Sequence, residues 1–165
     1  YKALSSAGRN SEGELNAFFY ISSSEWNLYR FIVKFTEIHK LPKAVLLLKD
    51  IKTSLTDFFF TGRGNHNHKF DKIKHILEFY PNLKYVLLGD DSQEDPFLYE
   101  AICKIFPITV KAVYIRQTGA HKKEKVEIVL KNLESLNVFV CYFANSNEAI
   151  AHSKAIGLIS DPQHS

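Results

Sequence analysis

The sequence predicts an α/β fold in three layers, a parallel sheet with helices on both faces. Short, unbroken apolar runs alternate with amphipathic segments of helical spacing, the pattern of right-handed βαβ units. The runs are apolar at successive residues, not at every second one, as strands covered on both faces must be. Ligands of such sheets bind beyond the carboxyl ends of the strands. The residues that follow each run are therefore the ones to inspect.

Tyr1 to Ala7 reads as the end of a helix, closed by Gly8 and a polar loop through Asn16. Ala17–Ile21 is the first strand, ending in Ser22-Ser23-Ser24. Trp26–His39 is a helix with Trp26, Tyr29, Ile32, Val33 and Thr36 on one stripe, and Ser24 is its expected N-cap. Ala44–Leu48 is a second strand after the Leu41-Pro42 break. Ile51–His68 is long, aromatic and without clear period, which suggests a functional loop or a small insertion. Lys69–Phe79 is helical with Phe70, Ile73, Ile76 and Leu77 on its apolar face. Strands at Tyr85–Leu88, Val110–Ile115 and Val138–Phe143 then alternate with helices at Pro96–Phe106, Val126–Leu136 and Asn147–Ile156, the last closed by Gly157.

The 165 residues are 45% hydrophobic, enough for one domain with its own core. A net charge of +3 is too small to argue for nucleic acid, and the lysines are scattered apart from Lys122, Lys123 and Lys125 beside His121. Cys103 and Cys141 each sit in an apolar segment, so two buried thiols in a reducing, cytoplasmic compartment are expected, not a disulfide framework. No apolar run approaches a membrane span, and no basic amphipathic helix of the membrane-surface kind is evident. The chain opens on Tyr1 and contains no Met, so an N-terminal piece upstream of it is expected.

Chemistry concentrates in Gly89-Asp90-Asp91-Ser92-Gln93-Glu94-Asp95-Pro96, where four acidic side chains fall within six residues between a strand and a helix. Like charges this close repel, and a turn that keeps them suits a hard cation. Mg²⁺, which takes few carboxylates and retains waters, fits best. Asp90 at the strand end is the first candidate ligand, with Asp91 and Asp95 beside it. Asp95 before Pro96 also reads as a helix N-cap with Pro at N1. Ser22 and Ser23 follow the first strand, where a hydroxyl and backbone N–H groups could cradle a phosphate, although a lone serine there is more often a cap. Arg63, between Gly62 and Gly64, could carry a guanidinium to a substrate phosphate, or be an ordinary loop arginine. Lys69 alone would be read as a surface residue. His66, His68 and His75 lack the spacing of a zinc site.

In order, Phe18-Phe19-Tyr20-Ile21-Ser22-Ser23-Ser24-Glu25-Trp26-Asn27-Leu28-Tyr29, His68-Lys69, Phe79-Tyr80-Pro81, Val86-Leu87-Leu88-Gly89-Asp90 with Asp95-Pro96 and Tyr99, and Val113-Tyr114-Ile115-Arg116 form one series. It resembles the catalytic domain of the actin-patch phosphatidate phosphatase family, a branch of the haloacid dehalogenase superfamily, over roughly Tyr1 to Gly119. The resemblance implies a single Rossmannoid domain and a Mg²⁺-dependent phosphatase that works through a phospho-aspartyl intermediate. It implies that Ser22 binds the transferring phosphoryl group, that Lys69 neutralises it, and that Asp90, helped by Asp95, binds Mg²⁺. Where the family has a small residue this chain has Asp91. The family's Asp-x-Asp-x-Thr segment is expected upstream of Tyr1, on a strand between Ala17–Ile21 and Tyr85–Leu88. The expected substrate is a phosphate monoester, a phosphorylated small molecule or a phospholipid head group. A degenerate domain that binds without turnover is the alternative. A phosphoacceptor receiver domain would share the sheet and the acidic turn but leave the serine block unexplained.

Overall fold

A computed structural model of the chain describes residues 1–8, 15–49, 64–119 and 123–160, with residues 64–67 as backbone. Arg63 and most of the long loop after the second strand lie outside the described residues. Two compact units divide the chain, Tyr1–Lys72 with Gly157–Ser165, and Ile73–Ile156. Each is parallel α/β, in agreement with the predicted class, and the strands form two parallel sheets.

The first unit begins with a short helix, α1 (Lys2–Ser5), whose end is tied down by Asn16: its amide donates to the carbonyls of Leu4 and Ala7 at 2.8 and 2.9 Å. Strand β1 (Phe19–Glu25) pairs in parallel with β2 (Val45–Lys49) through Phe19↔Val45, Tyr20↔Leu46 and Ile21↔Leu47. Pairing slips after Ile21 and resumes at Glu25↔Lys49. The strand thus runs four residues past its expected end, with the three serines on the irregular stretch. A 3-10 turn (Trp26–Leu28) leads into α2 (Tyr29–Ile38). Ser24 is not the cap of this helix; Glu25 stands before the turn and Leu28 before α2, neither with a capping side-chain bond. The serines close on each other instead, with the Ser24 N–H donating to Ser22 Oγ at 3.1 Å. Such a local side-chain bond competes with capping.

Helix α3 (Gly64–Phe79) starts five residues before the expected Lys69. Lys69 therefore sits inside the helix, one turn ahead of Lys72. The Lys72 ammonium donates to the carbonyl of Leu48, which is fully buried near the carboxyl end of β2.

The second unit holds β3 (Tyr85–Asp90), α4 (Asp95–Ile105), β4 (Val110–Arg116), α5 (Lys123–Ser135), β5 (Phe139–Phe143) and α6 (Ser146–Ala155). Its sheet order is β3-β4-β5, all parallel. The middle strand explains its own composition: Ala112, Val113, Tyr114 and Ile115 are all buried, as a strand covered on both faces requires. Helix α5 buries Val126, Val129, Leu130 and Leu133, one stripe at i, i+3, i+4 and i+7, and packs against α4 through its apolar face. Helix α6 is held to β4 by polar contacts, with Tyr114 Oη 2.7 Å from Ser153 Oγ and 2.9 Å from His152 Nδ1. Among the described residues β1 and β2 are both edges of the first sheet, and β3 and β5 are the edges of the second.

Candidate functional site

The acidic turn is built on a close approach between backbone and helix. Asp90 is the last residue of β3 and pairs with Arg116 across the sheet. A Cβ on Gly89 would lie 2.9 Å from each of three atoms, Cβ and Oδ2 of Asp95 and Cε2 of Tyr99. The first turn of α4 therefore rests directly on the strand end, and only a residue without a side chain fits beneath it. Tyr99 fixes the contact by donating from its hydroxyl to the Leu88 carbonyl at 2.8 Å. The result puts the Asp95 carboxylate over the peptide that precedes Asp90. Asp95 is the first helical residue of α4 and Glu94 takes the cap position, so Asp95 is not the N-cap its place before Pro96 suggested. A carboxylate in the first turn is favoured there by the helix dipole.

The carboxylates of the turn are separated by direction. Asp90 Oδ1 accepts from the Ser92 N–H at 2.9 Å and from the Ser92 hydroxyl, which clamps the turn around it. Asp90 and Asp95 are half-buried. Asp91 is 2% exposed and points into the protein. Its Oδ1 accepts from the Thr118 N–H at 2.8 Å and from the Thr118 hydroxyl, and its Oδ2 accepts from the Tyr142 hydroxyl at 2.7 Å. Burial pushes the Asp91 carboxyl upward, but the hydrogen bonds from Thr118 and Tyr142 outweigh it and leave the acid below its ordinary value. Burial first, then the bond to Asp91 and its charge, push Tyr142 up to about 12, so it stays a donor. Asp91 thus joins the ends of all three strands, since Thr118 follows β4 and Tyr142 lies on β5. Neither partner was visible in the sequence: they are 27 and 51 residues away, and nothing in local spacing points to them.

Among the described residues no three His, Cys, Asp or Glu side chains gather into a metal site. The donors the turn offers Mg²⁺ are two half-buried carboxylates, Asp90 at the end of β3 and Asp95 packed against Gly89. An all-oxygen set of that size suits an ion that keeps most of its coordination for water and phosphate. The other candidates belong to the first unit. Ser22 and Ser23 lie on the slipped part of β1, alongside Leu48 by register, and it is the Leu48 carbonyl that holds Lys72. Lys69 is half-buried on the same helix. Lys72 is the one addition the structure makes to this group. Burial pushes the Cys103 thiol up to about 12 and the Cys141 thiol upward as well.

Two substitutions test this geometry. A Gly→Ala change within a strand ordinarily stabilises by roughly 0.5–1 kcal/mol. Gly89→Ala should instead destabilise by about 1–3 kcal/mol, because the added carbon collides with the Asp95 side chain and the buried Tyr99 ring. Tyr142→Phe removes a hydrogen bond to an ionised group and should lower stability by on the order of 1.5–3 kcal/mol. Urea melts of both variants beside the wild type measure the two effects, and a neutral Tyr142→Phe would mean that the bond to Asp91 contributes nothing.

The family model for the catalytic domain of phosphatidate phosphatase APP1 matches residues 1–117. A similar protein is phosphatidate phosphatase APP1 of Saccharomyces cerevisiae, 27% identical over 99 residues, which is 60% of this chain and 16% of that protein. The chain therefore spans less than a fifth of that relative's length. No solved structure matches the chain. The matched region takes in the serine stretch, the acidic turn and all of β4, more than half of the chain, and on that ground the chain belongs to the family of phosphatidate phosphatase APP1 catalytic domains.

Proposed function

We propose that the chain carries the phosphate-binding and metal-binding parts of a Mg²⁺-dependent phosphatase of the haloacid dehalogenase type, acting on phosphate monoesters with phosphatidate as the favoured substrate. The observation that supports this most is the contact at Gly89, which seats the Asp95 carboxylate against the strand end that carries Asp90 as its next residue. Asp90 and Asp95 would hold Mg²⁺, direct or through water. Bound there, the ion would supply positive charge against the negative charge on the transferring phosphoryl group. Asp91 would take no part in coordination; it would fix the turn from within.

Ser22 would hold a phosphoryl oxygen with its hydroxyl proton, since its lone pair already receives the Ser24 N–H. Ser23 would add a backbone N–H, Lys69 an ammonium, and Arg63 a guanidinium on the substrate phosphate. These groups act by orientation and charge, the largest contributions in phosphoryl transfer. The covalent step belongs to an aspartate of an Asp-x-Asp-x-Thr segment, a motif that does not occur in the 165 residues. There the aspartyl oxygen would bond to phosphorus as the ester oxygen leaves with a proton from the second aspartate, and water would then release phosphate.

The test uses the full-length protein with a soluble aryl phosphate. Asp90→Asn should weaken Mg²⁺ affinity at least tenfold by calorimetric titration. Lys69→Ala should lower turnover by about 3 kcal/mol of barrier while changing stability by roughly 0.5 kcal/mol or less. Equal Mg²⁺ affinity in Asp90→Asn would sink the metal assignment, and unchanged turnover in Lys69→Ala would return that lysine to the surface. Metal binding without turnover in the wild type would identify a degenerate domain.

A further inference from the structure

Helix α2 has a second apolar face that stands exposed among the described residues. Ile32, Val33 and Thr36 are its half-buried side, and no residue of the helix is fully buried. Leu28, Phe31, Phe35 and Ile38 follow one another at three- and four-residue steps on a different side, 45%, 69%, 47% and 65% exposed. Trp26 and Tyr29 stack at 5.6 Å just before them, and both are exposed as well. Scattered exposed apolar residues are ordinary, but a continuous aromatic stripe marks an interaction surface. The sequence did not show it because Trp26 and Tyr29 were grouped with Ile32, Val33 and Thr36 as one core-facing stripe.

The charges around the stripe select the partner. Arg30 and Lys34 stand exposed on the same helix, followed by Lys40 and Lys43, and together they outnumber Glu25 and Glu37. A protein groove favours aromatic anchors but depletes lysine at its centre. Aromatic and aliphatic side chains flanked by Lys and Arg are what an anionic bilayer surface accepts, with the apolar face in the headgroup boundary and the cations among the phosphates. We propose that α2 docks the protein on a bilayer that contains anionic lipid, with Phe31, Phe35 and Ile38 inserted and Arg30 and Lys34 at headgroup level. This rests partly on the phosphatase reading, because phosphatidate is itself an anionic lipid that an enzyme must meet at a membrane. No helix among the described residues is long and apolar enough to cross one.

Sedimentation of the full-length protein with vesicles tests the proposal. Phosphatidylserine in phosphatidylcholine is the probe, because it is not the proposed substrate and so reports the surface instead of the phosphatase site. Binding to these vesicles should exceed binding to phosphatidylcholine alone and should fall as salt is raised. Phe31→Ser with Phe35→Ser, and separately Arg30→Glu with Lys34→Glu, should each weaken it at least tenfold. Turnover of the soluble aryl phosphate should be unchanged in the charge-reversed variant. If the phenylalanine variant does not fold, the charge-reversed one decides, since it changes only exposed side chains. No sedimentation by the wild type, or sedimentation of both variants equal to that of the wild type, overturns the proposal. So does concentration-dependent dimerisation in place of vesicle binding, which gives the face to a second copy. A lowered melting temperature in the phenylalanine variant with vesicle binding intact gives it to another part of the chain. Vesicle binding without phosphatase activity would refute the phosphatase reading and leave the docking surface standing.

Discussion

The geometry of the acidic turn depends on one steric constraint, the space over Gly89. A helix can start on top of a strand end only if nothing projects between them, and three atoms of α4 occupy the place of a side chain there. That contact sets the angle at which α4 leaves the sheet. Tyr99 then locks it through the Leu88 carbonyl, and Pro96, Leu98, Ile102 and Cys103 bury behind it. The carboxylate of Asp95 arrives at the strand end as a consequence of packing, before any ligand is considered.

Four acidic side chains within six residues would ordinarily raise one another's affinity for protons. The structure relieves this by giving them different surroundings. Asp91 turns inward, where the Thr118 and Tyr142 donors stabilise its charge. A buried charge with its oxygens this well matched rigidifies what it touches, and one missing partner would cost more than the net gain of any single bond. Because Thr118 and Tyr142 come from the ends of β4 and β5, the turn after β3 is braced by the whole sheet. Asp90 and Asp95 remain at the half-buried rim, where a cation can reach them.

The sequence revealed most strands well and the starts of α4 and α6 to within one residue, but it missed the starts of α3 and α5, for physical reasons. Buried parallel strands are apolar on every residue, so β2, β3, β4 and β5 stood out within one or two residues. Strand β1 ran on into its serines because main-chain pairing tolerates a slip that side-chain hydropathy does not register. Helix α3 began early because Gly64-Asn65-His66-Asn67 carries no helical signal of its own. The acidic turn was legible as a cluster, yet its internal division was not. Which carboxylate is buried depends on a threonine and a tyrosine far along the chain, and spacing contains no trace of them.

The candidate residues of the two units differ in charge. The first offers donors and positive charge, namely the Ser22 hydroxyl, the Lys69 ammonium and a second ammonium, Lys72, anchored at Leu48. The second offers carboxylates, Asp90 and Asp95, on a turn with no cationic side chain from Gly89 to Pro96. Alone, the carboxylate pair would repel a phosphate dianion, and the ammonium and hydroxyl would bind one without opposing the charge that builds as the phosphoryl group moves. A cation between carboxylate and phosphate reverses the first problem and supplies what the second lacks.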